Sequence, residues 1–390
     1  MQQRDTGSPG RHQQASTTKG PAICFVTGTL GAFGGAERMT ATIANALARR
    51  GHPIRILSLC DAHSCFALDP AVRHDALFDK RPSFRTHFLQ TVARIRRYVR
   101  QHGITLLVEV DPLLTLFTLP ACLGLGVHRI AWEHCNFDQD LGLPVRRLAR
   151  RLSARTCRRI VVLTDLDRDK WVRNLHCENI EVIPNTLAFP IPAKPAVRTS
   201  RTAVAVGRLT EVKGFDVLLQ AWVPIAKSFP DWRLRIVGSG ELLEPLTQLR
   251  DRLGLQACVR LEPARSDIES VYRDAALLCL SSRYEGFPLV LVEAMAYGLP
   301  IVATDCETGV RAMLTDDENA RISPVDDAAA LARGIAAVIA SPELAKRLAE
   351  AGRRHVHRFA PGEIATRWER LLCGISGETG ETGTSEAGMA

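Results

Sequence analysis

Hydrophobic positions alternate between short β-branched runs, typical of buried strands, and longer stretches with the spacing of helices. In the first half, residues 35–50 form a predicted helix that ends before Gly51, and the predicted strands are residues 22–27, 54–59, 104–109, 129–132, 160–163 and 180–183. In the second half, the predicted strands are residues 203–206, 234–237, 259–261, 277–280 and 301–303, and residues 326–373 are predicted to be helical. Strands that alternate with helices predict an α/β fold with parallel sheets.

A break divides this pattern into two halves. Residues 187–200 carry three prolines and no periodicity, which predicts a linker. We therefore expect a first domain over residues 21–186, a second over 201–355, and a C-terminal helix over 356–373 that returns to the first domain. The ends, residues 1–20 and 374–390, are predicted to be disordered. A cleft between two domains is a preferred ligand site.

Composition limits the cellular compartments and the classes of binding partner that we expect. The net charge of +8 favours phosphates, nucleic acid or an anionic membrane as partners. Eleven cysteines without a C-x-x-C motif indicate reduced thiols, and the first twenty residues hold no apolar signal region, so we expect a cytoplasmic protein. Residues 112–127, the longest charge-free stretch, contain two prolines and predict a buried strand–helix segment rather than a membrane span.

The densest motif covers residues 281–298, with the sequence Ser-Ser-Arg-Tyr-Glu-Gly-Phe-Pro-Leu-Val-Leu-Val-Glu-Ala-Met-Ala-Tyr-Gly. Its pattern predicts a strand end, a loop with Glu285, and a helix that contains Glu293 and stops at Gly298. Helix N–H groups can bind an anion and carboxylates can accept sugar hydroxyls, as a nucleotide sugar requires. Taken singly, Glu285 could be a helix-stabilising surface charge and Glu293 a residue of a solvated face.

This motif resembles the E-x7-E signature of glycosyltransferase family 4, whose GT-B fold places two Rossmann-like domains across a cleft. The resemblance implies that Glu285 holds donor-sugar hydroxyls and that Glu293 grips the ribose diol. It also implies that four neighbours line the donor site: Gly286, Phe287, Pro288 and Leu289.

A second motif agrees with the first. Residues 205–216, Ala-Val-Gly-Arg-Leu-Thr-Glu-Val-Lys-Gly-Phe-Asp, resemble the family's G-R-L-x-x-x-K-G-x-D, which implies that Arg208 and Lys213 hold the donor pyrophosphate beside Gly207. Fixed cations stabilise the charge of a departing nucleotide diphosphate, although either residue alone could be merely exposed. Residues 236–241 resemble a glycine-rich turn in which Gly238 lets the backbone approach a ligand.

The first half carries weaker signals. Gly34-Gly-Ala-Glu-Arg38 resembles the family's G-G-A-E turn, which implies that Gly34, Gly35 and Glu37 lie by the acceptor and the donor phosphates. A dinucleotide fingerprint with Asp61 as ribose ligand competes, but G-x-G-x-x-G is absent. By the same resemblance His134 faces the donor sugar; a histidine hydrogen-bonded at a strand end is the alternative.

Two segments depart from the family pattern. Residues 306–311, Cys-Glu-Thr-Gly-Val-Arg, replace a common Pro-Ser-Gly-Pro type of loop that contacts the sugar. Residues 261–265, expected near the base, lack a common glycine. Uracil is the default base, and guanine stays open.

A basic stretch runs from Leu141 to Arg159 and contains seven arginines. Its apolar residues, Leu141, Val145, Leu148 and Leu152, fall on one helical face, as in helices that lie on anionic membranes. The alternative is that this face packs into the first domain and the arginines face water. No aromatic interleaving accompanies the charge, so nucleic acid is not an expected partner.

Together these features predict a retaining glycosyltransferase that moves a sugar from a UDP-sugar to a glycan or lipid-linked acceptor, peripherally on the inner face of the membrane. No metal or other cofactor is expected, because arginine and lysine take the metal's place at the diphosphate. Two alternatives remain: a nucleotide-sugar epimerase of the same architecture, and a non-catalytic sugar-nucleotide-binding subunit.

Overall fold

The computed structural model describes residues 20–140, 142–196, 200–265 and 267–377. The predicted disorder of residues 1–19 and 378–390 lies outside these ranges, as does Leu141. The strands are β1 Ile23–Thr27, β2 Ile54–Cys60, β3 Arg73–Phe78, β4 Leu106–Glu109, β5 His128–Trp132, β6 Arg159–Val162, β7 Ile180–Val182, β8 Thr202–Val206, β9 Arg233–Val237, β10 Val259–Glu262, β11 Leu277–Leu280, β12 Ile301–Thr304 and β13 Arg321–Ser323. The helices are α1 Gly35–Arg49, α2 Phe84–Gln101, α3 Thr115–Cys122, α4 Val145–Thr156, α5 Asp165–Leu175, α6 Phe215–Ser228, α7 Leu243–Arg252, α8 Ile268–Arg273, α9 Leu289–Tyr297, α10 Ala328–Ala340, α11 Pro342–His355 and α12 Pro361–Gly377.

These elements form two parallel sheets. The first has the order β3-β2-β1-β4-β5-β6-β7 and the second the order β10-β9-β8-β11-β12-β13. Their central strands β1, β4, β11 and β12 are buried at every position, as expected for strands covered by helices on both faces. The predicted pair of Rossmann-like domains is therefore confirmed. Strands β3 and β13 lie at sheet edges and were not predicted: β3 has one fully buried residue, and β13 is only three residues long.

Three predicted segments need correction. Residues 112–127 contain no strand; a 3-10 turn at Pro112–Leu114 leads into α3, because β4 has already ended at Glu109. The segment predicted to be helical, residues 326–373, consists of three helices, α10 to α12, with a 3-10 turn at Val356–Phe359. Residues 374–377, predicted to be disordered, continue α12 because Ile375 is buried in the core.

Helix α12 packs against the first domain, although it follows the second in the chain. The ring of Trp368 lies 4.7 Å from that of Trp132 and 6.3 Å from that of Phe25, measured between centroids. Glu369 accepts hydrogen bonds from Arg50 at 2.9 Å and pairs with His52 at 2.8 Å. These contacts bring the chain back across the cleft and help to fix how the two domains face each other.

In the described part of the chain, no single helix is long and apolar enough to cross a bilayer, and only α10 together with residues 342–376, bent by 101°, reaches that length.

Candidate active site

The cleft is lined by the carboxyl ends of strands from both sheets, where α/β proteins commonly place their ligands. In the second domain the chain leaves β8 through Gly207 and Arg208 and forms a 3-10 turn at Glu211–Lys213. Gly214 closes this turn with a φ of 58°, and a Cβ there would lie 2.1 Å from the carbonyl oxygen of Ser281. Only glycine fits this position, so the turn that carries Lys213 is held against the end of β11.

Lys213 is brought to Glu285 by this turn. Its Nζ lies 2.5 Å from Oε1 of Glu285, which also accepts a hydrogen bond of 2.6 Å from the Ser282 hydroxyl. The aliphatic part of Lys213 lies over Gly207, where a Cβ would come within 3.2 Å of it. Arg208 is exposed, and its guanidinium has no hydrogen-bond or ion-pair partner within the described ranges. One cation is thus paired and the other is available to an anion in the cleft.

The segment from Glu285 to Leu289 is packed between the two domains. A Cβ on Gly286 would lie 2.5 Å from the carbonyl oxygen of His134. The Phe287 ring packs on Phe359, with centroids 5.6 Å apart, and Leu289 lies against Gly35. Pro288 directly precedes α9 as its N-cap residue, and α9 ends at Gly298 as predicted.

Glu293 is buried, which corrects the alternative that it belongs to a solvated face. Its side chain is 4% exposed, and its two oxygens lie 2.5 Å from the Arg38 guanidinium and 2.6 Å from the Tyr272 hydroxyl. Arg38 belongs to the first domain, so this pair joins the two domains. Sequence reasoning missed Arg38 and Tyr272, although Arg38 is the last residue of the Gly-Gly-Ala-Glu-Arg motif.

The start of α1 faces the donor motifs. Gly34 is the N-cap residue, and a Cβ there would lie 2.1 Å from Oε2 of Glu37, whose carboxylate folds back over it. Burial raises the pKa of Glu37, while the nearby charge of Arg208 lowers it. Glu37 and Arg208 are therefore close enough to interact across the cleft. Asp61 instead accepts a hydrogen bond of 2.8 Å from Thr29.

His134 follows β5 and lies at the junction of the domains. Its ring stacks near Trp132 with a centroid separation of 4.3 Å, and its Nε2 is buried without a partner in the described structure. Burial lowers the pKa of His134 to about 3, so the ring is neutral near pH 7. A buried nitrogen without a hydrogen-bond partner is uncommon in a folded protein.

Gly238 allows a close approach of two backbone segments, while its predicted approach to a ligand stays a prediction. A Cβ there would lie 1.8 Å from the carbonyl oxygen of Gly207, so its neighbour is the protein backbone. The glycine-rich turn thus fixes the loop that presents Arg208.

The divergent loop at residues 306–311 supports Glu285. The hydroxyl of Thr308 donates to the Glu285 carbonyl at 2.9 Å, and the Gly309 N–H donates to it at 3.3 Å. Glu307 pairs with Lys170 of the first domain at 3.1 Å, so the same loop also joins the two domains. Apart from the departure from the family pattern, no sequence signal points to these contacts.

Helix α4 corrects the alternative in which its apolar face packs into the first domain and its arginines face water; contact with a membrane stays a prediction. Arg146 and Arg150 are buried, where they pair with Asp111 at 2.6 Å and with Glu133 at 2.7 Å. Val145 and Leu148 of the apolar face are exposed, at 37% and 50%. The inner face of α4 therefore carries two arginines, and its outer face mixes leucine, valine and arginine.

Two family models together match most of the chain. The model described as Glycosyltransferase Family 4 matches residues 33–187, and the model described as Glycosyl transferases group 1 matches residues 191–355. The two matches correspond to the two sheets.

Similar proteins agree with these models. An uncharacterized glycosyltransferase of Haemophilus influenzae is 32% identical over 350 residues, covering 90% of this chain and 99% of the relative. A Campylobacter jejuni N-acetyl-D-galactosaminyltransferase, named for a PP-undecaprenol-linked glycan, is 24% identical over 363 residues, or 90% of this chain and 98% of its own. The crystal structure of Anabaena HepE with UDP and glucose has a TM-score of 0.76 at 19% identity, covering 90% of this chain and 99% of that one.

Proposed function

This chain belongs to the GT-B glycosyltransferases of the Family 4 and group 1 models, and from that membership we propose that it transfers a sugar, with retention, from a UDP-sugar to a lipid-linked glycan. The observation that carries the proposal is the pairing of Lys213 with Glu285, 2.5 Å apart, beside the unpartnered Arg208. Two cations and a carboxylate at one point of the cleft match a diphosphate next to a sugar.

Arg208 and Lys213 would bind the diphosphate and stabilise the negative charge that develops as the nucleotide departs. Arg208 is exposed, and its positive charge lowers the pKa of Glu37 on the other domain. Lys213 holds Glu285 in place while its remaining N–H groups can reach a phosphate oxygen. Charge stabilisation by these two side chains needs no metal ion, so we predict transfer in the presence of a chelator.

Glu285 would accept hydrogen bonds from donor-sugar hydroxyls, and His134 would contribute its neutral ring from the other domain. Glu293 would bind the ribose hydroxyls. Since both of its oxygens already have protein partners, the ribose must share them with Arg38 and Tyr272 or displace one. For retention, we propose that the acceptor attacks the face from which the nucleotide leaves, with the leaving phosphate taking the acceptor proton.

The acceptor side is proposed to lie at the start of α1, where Gly34, Gly35 and Glu37 face the donor motifs. A lipid-linked acceptor is supported by the name of the Campylobacter relative and by the outer face of α4. There Val145 and Leu148 are 37% and 50% exposed beside Arg147, Arg151 and Arg155, and Leu143, just before the helix, is 46% exposed. Exposed apolar residues flanked by cations are typical of surfaces that lie on anionic lipid.

Sedimentation with anionic vesicles tests this attachment. Each cation near an anionic surface contributes about 1 kcal/mol, so replacing Arg147, Arg151 and Arg155 by Gln should release the protein. Nucleotide binding should be unchanged in that variant. If the wild type does not sediment with such vesicles at low salt, the membrane proposal fails and a soluble acceptor replaces it.

The reaction itself is tested with a panel of UDP-sugars, a polyprenyl-diphosphate-linked glycan acceptor and NMR of the product. We expect UDP release that depends on the acceptor, and a new glycosidic bond with the anomeric configuration of the donor. An altered donor without an acceptor would identify an epimerase, and binding without any product would identify a non-catalytic subunit.

A further inference from the structure

Arg150 is an arginine of α4 that does not reach solvent. Its side chain is 3% exposed, and its guanidinium carbon lies 5.5 Å from the centre of the Phe137 ring. A buried guanidinium is unfavourable unless its donors are satisfied. Arg150 satisfies them on the loop that joins β5 to α4, so the contacts it makes show what it holds.

Four acceptors surround the guanidinium. Its Nε donates to Oε2 of Glu133 at 2.7 Å, and its two terminal nitrogens donate to three backbone carbonyls of the loop. These are the carbonyl oxygens of Phe137 at 2.6 Å, Gln139 at 2.9 Å and Asn136 at 3.1 Å. Arginine is the side chain whose planar fork can reach several acceptors at once. Lysine at this position would keep the charge but not this set of bonds.

The same loop is held from two other directions. The Cys135 N–H donates to Glu133 at 3.0 Å, and the Phe137 N–H donates to Asp167 at 2.7 Å. The backbone of the loop is thus tied by buried charged side chains rather than by a helix or sheet. Loss of the Arg150 tie would remove a donor from each of these loop carbonyls.

This loop also contacts the donor motif. A Cβ on Gly286 would lie 2.5 Å from the carbonyl oxygen of His134 and 3.4 Å from the Asn136 nitrogen. A displacement of the loop by a few tenths of an ångström would therefore change how His134 meets the segment that begins with Glu285. Arg150 lies behind the loop and contacts neither Gly286 nor Glu285 in the described structure.

We propose that Arg150 is a positioning residue for sugar transfer: it holds the loop that sets His134 against the Glu285–Pro288 segment. The role rests on the proposed function, because His134 acts on the donor sugar only if the chain binds one. It also gives α4 two separate tasks, since the residues proposed to meet the membrane lie on its outer face and Arg150 on its inner face.

The full-length chain with Arg150→Lys tests this role, and Arg97→Lys, at an exposed position of α2 in the same domain, is the matched control. The readouts are UDP affinity by calorimetry, UDP release from the most active member of a UDP-sugar panel, and hydrogen exchange of the loop amides. We expect a loss of UDP release of about 100-fold, as for a misplaced catalytic group, faster exchange at residues 135–139, and a UDP affinity within about threefold of wild type.

A double-mutant cycle with His134→Ala separates positioning from general weakening. If Arg150 acts through His134, adding Arg150→Lys to His134→Ala should cost less than about threefold more. Additive losses, or exchange and turnover like those of Arg97→Lys, would overturn the proposal. A wild type that neither binds UDP nor releases it would refute the proposed function instead, and unchanged loop exchange would still refute the role of Arg150 in that case.

Discussion

Two groups of cationic side chains show how differently the same residue types can be used. Arg208 and Lys213 lie in the cleft: the first has no partner in the described structure, and the second shares a single carboxylate with Ser282. Arg146 and Arg150 lie inside the first domain, where Asp111, Glu133 and loop carbonyls surround them. A cation with free donors can bind an anionic ligand, whereas a buried cation paired with carboxylates stabilises the protein itself. The difference predicts opposite results on substitution.

Substitution of a buried arginine should have the largest effect on the free energy of unfolding. Arg150→Ala leaves Glu133, which is 1% exposed, without its closest partner, and breaking such a pair costs about 3–5 kcal/mol of unfolding free energy. Arg151→Ala, on the exposed face, should change it by less than about 0.5 kcal/mol. Urea unfolding measures both. Equal effects of the two substitutions would erase the distinction between the groups.

Substitution in the cleft should affect turnover and leave the fold intact. Arg208→Ala and Lys213→Ala should each remove about 2–4 kcal/mol of transition-state stabilisation, because each removes a charge from the departing diphosphate. The measurement is kcat/KM with the active UDP-sugar, beside a melting curve. Near-normal turnover in the double variant at saturating donor would contradict the assignment.

The buried carboxyl of Asp167, which accepts a hydrogen bond from the loop held by Arg150, should make the stability of the fold depend on pH. Burial raises the pKa of Asp167 to about 7, above its usual 3.8, so the folded chain keeps a proton that the unfolded chain has released. Stability should therefore fall as pH rises from about 4 to about 7, by about 2 kcal/mol across the upper part of that window. Asp167→Asn should remove this slope. The prediction fails if the free energy of unfolding in urea changes between pH 5.5 and pH 7.5 by the same amount in the wild type and in Asp167→Asn.

The smallest expected effect compares the two carboxylates of the donor motif. Glu293→Gln should weaken UDP binding by about 1–2 kcal/mol, because a ribose contact acts in the ground state, while Glu285→Gln should mainly reduce turnover. Calorimetry with UDP, which carries no sugar to meet Glu285, separates them. Unchanged UDP affinity in Glu293→Gln would show that the two roles are assigned wrongly.

The two regions also differ in how far the sequence predicts them. The constraints on the donor motif are local. Gly286 has a close backbone contact, Gly298 has a φ of 67°, and Pro288 directly precedes the helix. Such constraints act within a few residues and leave a readable pattern. The motif therefore predicts the strand end, the loop and the helix around Glu285.

The inner face of α4 could not be predicted this way. Its arginines are drawn inward by Asp111 and Glu133, which follow β4 and β5 and meet α4 only in the folded domain. Helical spacing alone left open whether Val145 and Leu148 pack into the domain, and they are exposed. The contact between Arg38 and Glu293 joins residues 255 positions apart, so the sequence shows both residues but not their pairing.

Calorimetric titration of the wild type and the Arg208→Ala/Lys213→Ala variant with UDP tests the central claim most directly. The account predicts that the wild type binds one UDP per chain and that the double variant binds it at least ~100-fold more weakly, with an unchanged melting curve, because two charge-assisted contacts are lost. Equal affinity of the two proteins, or no binding of UDP by the wild type, would contradict the placement of the UDP-sugar site between the ends of β8 and β11.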